Sequence, residues 1–155
     1  MIRTAQLKDA EAICEVHTSA IRGLCSSHYS KEEITAWTSM IKPESYPSVI
    51  ADDKKLILVA QENDVIVGFG QVDFTDQEIE AVYVSPGVAG SGVGKKLLNG
   101  LEVFSRRQGL KTLKLSASLN ACDFYARAGY YKLDNTKHTL KSGVQIGCVN
   151  MKKKI

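Results

Sequence analysis

A chain of 155 residues is long enough to bury one core and short for two, so a single domain over residues 1–155 is expected. With 44% hydrophobic and 24% charged residues it has globular composition, and a formal net charge of +3, clustered only in Lys152-Lys153-Lys154, is too mild for a nucleic-acid binder. No apolar run approaches the roughly 18 residues that cross a bilayer, Met1-Ile-Arg-Thr4 lacks a signal-peptide core, and the four cysteines Cys14, Cys25, Cys122 and Cys148 follow no disulfide spacing; a cytoplasmic protein with reduced thiols and no membrane partner is expected.

Ile2 to Ala5 reads as a short strand, and the helix after it has Asp9 as its cap and Ile13, Val16, Ala20 and Leu24 at helical spacing. Ser30-Lys-Glu-Glu33 has the form of a capping box, in which the serine and Glu33 each satisfy an end donor; it starts a second helix carrying Ile34 and Trp37. Cys14 with His17 and Cys25 with His28 make two Cys-x-x-His pairs that chemically supply four zinc ligands. The first pair lies beside a core stripe and the interval between the pairs matches no zinc module, so filler and polar loop residues are the favoured reading and no metal is expected. Beyond a loop with Pro43 and Pro47, Lys55 to Gln61 and Val65 to Asp73 form a β-hairpin around Asn63-Asp64, and Thr75-Asp76-Gln77 turns into a third antiparallel strand, Glu78 to Val84.

Strict alternation in that third strand sets Ile79, Ala81 and Tyr83 on one face and mixes Glu78 and Glu80 with Val82 and Val84 on the other. A bulge between Glu80 and Val82 removes the conflict. After the strand come a Pro86-Gly87 turn, a loop with Gly90, Gly92 and Gly94, and a helix from Val93 to about Gln108 with Leu97, Leu98, Leu101 and Phe104 on one stripe and Gly109 at its end. Free N–H groups at a helix start, approached over a loop without side chains, favour an anion such as a pyrophosphate. A Walker loop requires Gly at Ala89 and Ser or Thr at Lys96, and a dinucleotide fingerprint requires G-x-G-x-x-G where G-x-G-x-G stands; both fit poorly. Thr112 to Ala117 is a strand parallel to the one before the crossover helix, Leu119 to Ala128 a short helix capped by Ser118, and Tyr130 to Leu133 together with Lys137 to Leu140 is one of two last strands, Val144 to Lys152 the other, around Lys141-Ser-Gly143.

The run Glu78-Ile-Glu-Ala-Val-Tyr-Val-Ser-Pro86 followed by Gly90-Ser-Gly-Val-Gly-Lys-Lys-Leu-Leu98 resembles the acyl-CoA-binding core of GNAT-type N-acetyltransferases. Ala121-Cys-Asp-Phe-Tyr-Ala-Arg-Ala-Gly-Tyr130 resembles that family's second motif, a helix ending in Phe-Tyr-x-x-x-Gly-Phe/Tyr. The opening Ile2-Arg-x-Ala with Asp9-Ala-x-Ala-Ile13 is similar to the start of many such domains, and His28-Tyr-Ser with Ile34-x-Ala-Trp37 to a subgroup of small bacterial members. The resemblance implies an α/β (α+β) fold, with a mixed, mostly antiparallel sheet of about seven strands flanked by four helices and splayed between its fourth and fifth strands.

It further implies acetyl-CoA as cofactor, a small-molecule or peptide amine as acceptor, direct attack in a ternary complex, and a monomer or homodimer. Backbone groups of Val82, Tyr83 and Val84 would meet the pantetheine arm, and the amides of Ala89, Gly90, Ser91, Gly92, Val93, Gly94 and Lys95 the diphosphate. The family usually has Gln or Arg where Ala89 stands, which leaves the backbone donors to act there. Ser118 occupies the place of an arm-binding Asn, and Lys95 and Arg127 are candidates for the outer phosphates. An alkyl ammonium of pKa about 10.4 must lose a proton before attack, and Glu78 matches the family's base, with Glu80 or a water relay as alternatives. The amide of Val82 is the oxyanion donor. Tyr125 matches the tyrosine near the cofactor sulfur; a phenol of pKa about 10 lies only about 1.5 above a thiol of about 8.5, so protonating the departing thiolate costs little. His28, Tyr29 and Trp37, with Glu80, are placed at the acceptor. A non-catalytic acyl-CoA-binding module is the reading from another class.

Overall fold

The computed structural model describes residues 1–155. Seven strands form one sheet: β1 (Ile2–Thr4), β2 (Lys55–Glu62), β3 (Val65–Asp73), β4 (Glu78–Val84), β5 (Thr112–Ser118), β6 (Tyr131–Thr139) and β7 (Gln145–Lys154), in the order β1-β2-β3-β4-β5-β7-β6. Only β4 and β5 run parallel, as the helical crossover between them requires. The β2–β3 hairpin closes through Asn63 and Asp64, both left-handed at φ 49° and 63°, the pair of conformations that a two-residue turn needs to match strand twist.

Five helices cover the two faces. α4 (Val93–Arg107) and α5 (Cys122–Arg127) seal one of them, with Leu97, Leu98, Leu101 and Tyr125 buried against Val72, Ile79, Leu113 and Leu115. A Cβ on Gly70 of β3 would stand 2.8 Å from Leu101, so glycine there lets α4 lie close to the sheet. α1 (Ala10–Leu24), α2 (Lys31–Thr38) and α3 (Pro47–Ala51) cover the other face around Ile13, Val16, Ile21 and Phe69. The capping box of α2 forms as read: Ser30 N–H donates to Glu33 at 2.8 Å, and Glu33 N–H to Ser30 at 3.1 Å.

Three expectations change. The Pro43–Pro47 stretch is a 3₁₀ turn followed by α3, because each proline takes a first-turn position where its missing N–H leaves no bond unmade. This raises the helix count from four to five. Asp9 precedes α1 without a side-chain cap bond; its carboxylate accepts instead from Gln6 N–H at 2.7 Å and from both terminal nitrogens of Arg3, which hold its pKa below the usual carboxylate range. The helix expected from Leu119 begins as a 3₁₀ turn and becomes α-helical only at Cys122.

The bulge falls at Glu80. Gln71 faces Ala81 and Val72 faces Ile79, so Glu80 has no partner across the β3–β4 ladder. The extra residue resets the faces: Ile79 joins Val82 and Val84 under α4, while Ala81 and Tyr83 turn toward α1.

Candidate active site

β4 and β5 pair only at Glu78–Lys114 and Ile79–Leu115, although β4 runs on to Val84 beside β3 and β5 to Ser118 beside β7. The two strands therefore open as a wedge. Ser85 N–H donates to Val67 O at 2.8 Å, so by alternation Tyr83 and Ala81 turn their backbone groups to β3. Those of Val82 and Val84 face the wedge, where no strand pairs with them.

At the far end of β4 a 3₁₀ turn at Pro86–Val88 leads to Gly90 and Gly92, left-handed at φ 81° and 94°. Gly92 is the residue before α4 and offers no side chain to its first turn. The first helical bond is from Lys96 N–H to Gly92 O, and no backbone carbonyl takes the amides of Gly92, Val93, Gly94 or Lys95. Nothing lies within 4 Å of where a Cβ on Gly90 or Gly92 would stand, and no acidic residue occupies the first turn of α4. The positive end of a 15-residue helix is thus open and uncompensated. Ala89, Ser91, Lys95 and Arg127 are all exposed, and the Ser91 hydroxyl donates to Val88 O.

Two cavities meet at the wedge. The narrower, about 100 Å³, lies between Leu24 of α1 and the Cys25 that follows it, Val82 and Val84, Gly94 and Phe124. Asn120 Oδ1 in its wall is buried without a hydrogen-bond partner. Burial pushes the Cys25 thiol up to about 11, against a smaller opposing pull from the Asn120 side chain. The wider cavity, about 260 Å³, opens on the α2 side between Tyr29, Trp37, Glu78, Glu80 and His138. Tyr83 and Ser118 line both.

The two carboxylates differ sharply. Glu80 is bound by Lys55 Nζ at 3.1 and 3.3 Å and by Gln71 Nε2. Glu78 is half-buried and has no such partner; burial holds its carboxyl above the usual range, against the pull of Lys114 and with a further push from Glu80.

Tyr29 ties the roof of the wider cavity to the sheet. Its hydroxyl donates to Gly147 O and accepts from Leu119 N–H at 2.9 Å, and its ring meets Trp37 edge-on at 5.3 Å. Burial pushes this phenol up to about 12, so it stays a donor. Tyr29→Phe should leave a buried carbonyl and amide without partners at about 1–3 kcal/mol. The expected fall in melting temperature is a few degrees, about 2–4 °C per kcal/mol for a domain of this size, read by calorimetry.

His28 departs from expectation. It is exposed, bonds Ser27 Oγ at 2.7 Å, and lines neither cavity, because Tyr29 turns inward at the loop and its neighbour turns out. The two Cys-x-x-His pairs also separate: His17 bonds Tyr46 OH at 2.8 Å and packs 4.5 Å from the Tyr83 ring, and no three metal-ligating side chains converge anywhere. Tyr125 is buried among Phe124 and Tyr130 and lines neither cavity, while its neighbour Phe124 lines the narrow one. Burial drives its phenol far above 10, and the Tyr83 phenol, raised first by its own burial, feels Tyr125 nearby. Sequence reading missed Asn120 and Cys25. Asn120 sits in a 3₁₀ turn, where no periodicity marks an inward position; its one signal was being an amide two residues beyond Ser118.

A family model described as Acetyltransferase (GNAT) domain matches residues 25–155. Among curated proteins, the chain is 30% identical over 129 residues to the Uncharacterized N-acetyltransferase YafP of Escherichia coli (strain K12), covering 83% of this chain and 79% of that one. Among solved structures it superposes with a TM-score of 0.92 on "GCN5-Related N-acetyltransferase: Aminotransferase, Class-II" from Rhodopseudomonas palustris, at 27% identity over 100% of this chain and 95% of that chain. The PaiA N-acetyltransferase from Thermoplasma acidophilum, solved in complex with coenzyme A, has the same fold at TM-score 0.83 and 21% identity, over 100% and 98% of the two chains.

Proposed function

The chain belongs to the GNAT acetyltransferase family, and we propose that it moves an acetyl group from acetyl-CoA to a primary amine by direct attack, with both substrates held at once on the two sides of the β4–β5 wedge. The carrying observation is continuity: an open helix N-terminus, a narrow cleft and a wider acidic cavity follow one another, the last two sharing Tyr83 and Ser118. The residues present suit coenzyme A. The free amides from Gly92 to Lys95 take the diphosphate, Lys95 and Arg127 lie exposed for the outer phosphate, and Asn120 Oδ1 is a buried acceptor that matches an amide N–H of the pantetheine arm. Acetyl-CoA supplies the acetyl group as a thioester, and coenzyme A would leave as the thiol with the proton that the attacking nitrogen sheds as the amide forms.

Glu78, unpaired and with a raised pKa, accepts the proton of the acceptor ammonium, directly or through a water. Glu80 is committed to Lys55 and Gln71 and is better suited to holding the acceptor than to taking its proton. The Val82 amide, turned into the wedge without a strand partner, donates to the thioester oxygen as negative charge grows there. The resemblance sets Tyr125 near the sulfur; since its phenol is held far above 10 by burial and lines neither cavity, the part left to it is a hydrogen bond to the sulfur and not delivery of the proton. Tyr125→Phe should lower kcat about tenfold, one lost hydrogen bond to a charged group, and leave KM for acetyl-CoA within about twofold. An unchanged kcat removes this tyrosine from the mechanism and passes the role to Tyr83.

Calorimetric titration with coenzyme A, followed by thiol release from acetyl-CoA across an amine panel, tests the whole reading. Binding with no turnover on any amine returns the chain to a non-catalytic acyl-CoA module; no binding removes both.

A further inference from the structure

We infer that the acceptor presents its amine with no free carboxylate on the adjacent carbon: an alkylamine or diamine, a peptide amino terminus or a lysine side chain, and not a free α-amino acid. This rests on the wider cavity being the acceptor site. Its only formally charged side chains are Glu78 and Glu80, and no lysine or arginine lines it. The nearest cations are placed elsewhere. Lys55 is held by Glu80 and by Asp73 at 3.3 Å, and Lys114 faces Glu78 across the β4–β5 pair but stands outside the lining. His138, the one imidazole in the lining, projects from the exposed edge strand β6.

An amine delivered to Glu78 brings any carboxylate on its α-carbon to within a few ångströms of that unpaired carboxylate, and the one lysine nearby, Lys55, is already shared between Glu80 and Asp73. At such a separation in a partly buried site, two like charges repel strongly. The reacting ammonium, by contrast, is drawn in by Glu78, and the Trp37, Tyr29 and Tyr83 rings offer faces and edges to the body that carries it. Charge alone therefore selects within the amines, whatever the shape of the rest of the acceptor.

Matched sets test this: tyramine, tyrosine methyl ester and tyrosine; agmatine, arginine methyl ester and arginine; isobutylamine, valine methyl ester and valine. Thiol release is followed at pH 8.5, and kcat/KM is expressed per neutral amine so that differing amine pKa values drop out. In every set that turns over, the amine and the ester should exceed the amino acid by about thirtyfold or more. Glu80→Gln should narrow that gap by at least threefold whichever way the absolute rate moves, since it releases Lys55 from Glu80 and leaves a cation beside the cavity for the incoming carboxylate. Amino acids turned over as fast as their esters overturn the inference and leave the transferase reading standing. Coenzyme A binding with no turnover of any amine removes that reading, and this inference with it.

Discussion

Glu78→Gln is expected to lower kcat/KM for the amine about a hundredfold at pH 7, with the deficit shrinking as pH approaches that of the free amine's own deprotonation. General base catalysis is worth about 10²–10⁴-fold, and the low end fits a reaction whose nucleophile becomes neutral without help at high pH. The wild-type rate should show an acid limb above the ordinary carboxylate range, because burial holds the Glu78 carboxyl protonated to higher pH. The glutamine variant should lack that limb. Stability moves the other way. A carboxyl whose folded pKa is raised makes the folded state the tighter proton binder, so stability falls as pH rises from the unfolded value through the folded one. The variant escapes that loss and should melt at or above the wild-type temperature at pH 7, which separates a lost base from a damaged fold. A pH profile that keeps its shape would point to Glu80 or to bulk water instead.

Gly92→Val should weaken coenzyme A about 10- to 100-fold while leaving the far-ultraviolet circular dichroism unchanged. Gly92 holds φ 94°, a conformation that a β-branched residue adopts only as an outlier, at a strain of about 1–3 kcal/mol. Nothing in the protein crowds the new side chain, so the fold tolerates it by rotating the Gly92–Val93 peptide. That rotation turns amides away from the diphosphate, and restoring them on binding costs the strain, with each 1.4 kcal/mol equal to tenfold in affinity. Gly87→Val is the control: Gly87 is exposed, its surroundings are open and its φ lies outside the left-handed region, so the dissociation constant should stay within about threefold. Equal affinities for wild type and Gly92→Val would mean that the helix start does not hold the cofactor.

Features set by residues within a turn of one another were legible in the chain. Asn63-Asp64 closes the hairpin, Ser30 and Glu33 cap each other, and the glycines free the first amides of α4, all through contacts of a few residues. The bulge was legible for a different reason: a period-two pattern that puts glutamates and valines on one face cannot be buried without an extra residue, and Glu80 is that residue. By the same logic the wedge was legible only through resemblance, since nothing local to β4 or β5 says that their pairing stops after two residues.

What the chain determined by itself is thus most of its elements apart from α3, their turns and the open amides at Gly92 to Lys95. The tertiary structure decided which of two glutamates two residues apart is left without a paired cation, because Glu80 is bound by a lysine 25 positions away on β2 and Glu78 meets only partial burial. It likewise turned Tyr29 inward and His28 outward, buried Tyr125 and left Asn120 without a partner in the cleft. Dihedral preferences and caps act over a few residues and can be read along a chain; desolvation and ion pairing depend on whatever the fold brings near, and distance along the sequence carries no trace of it.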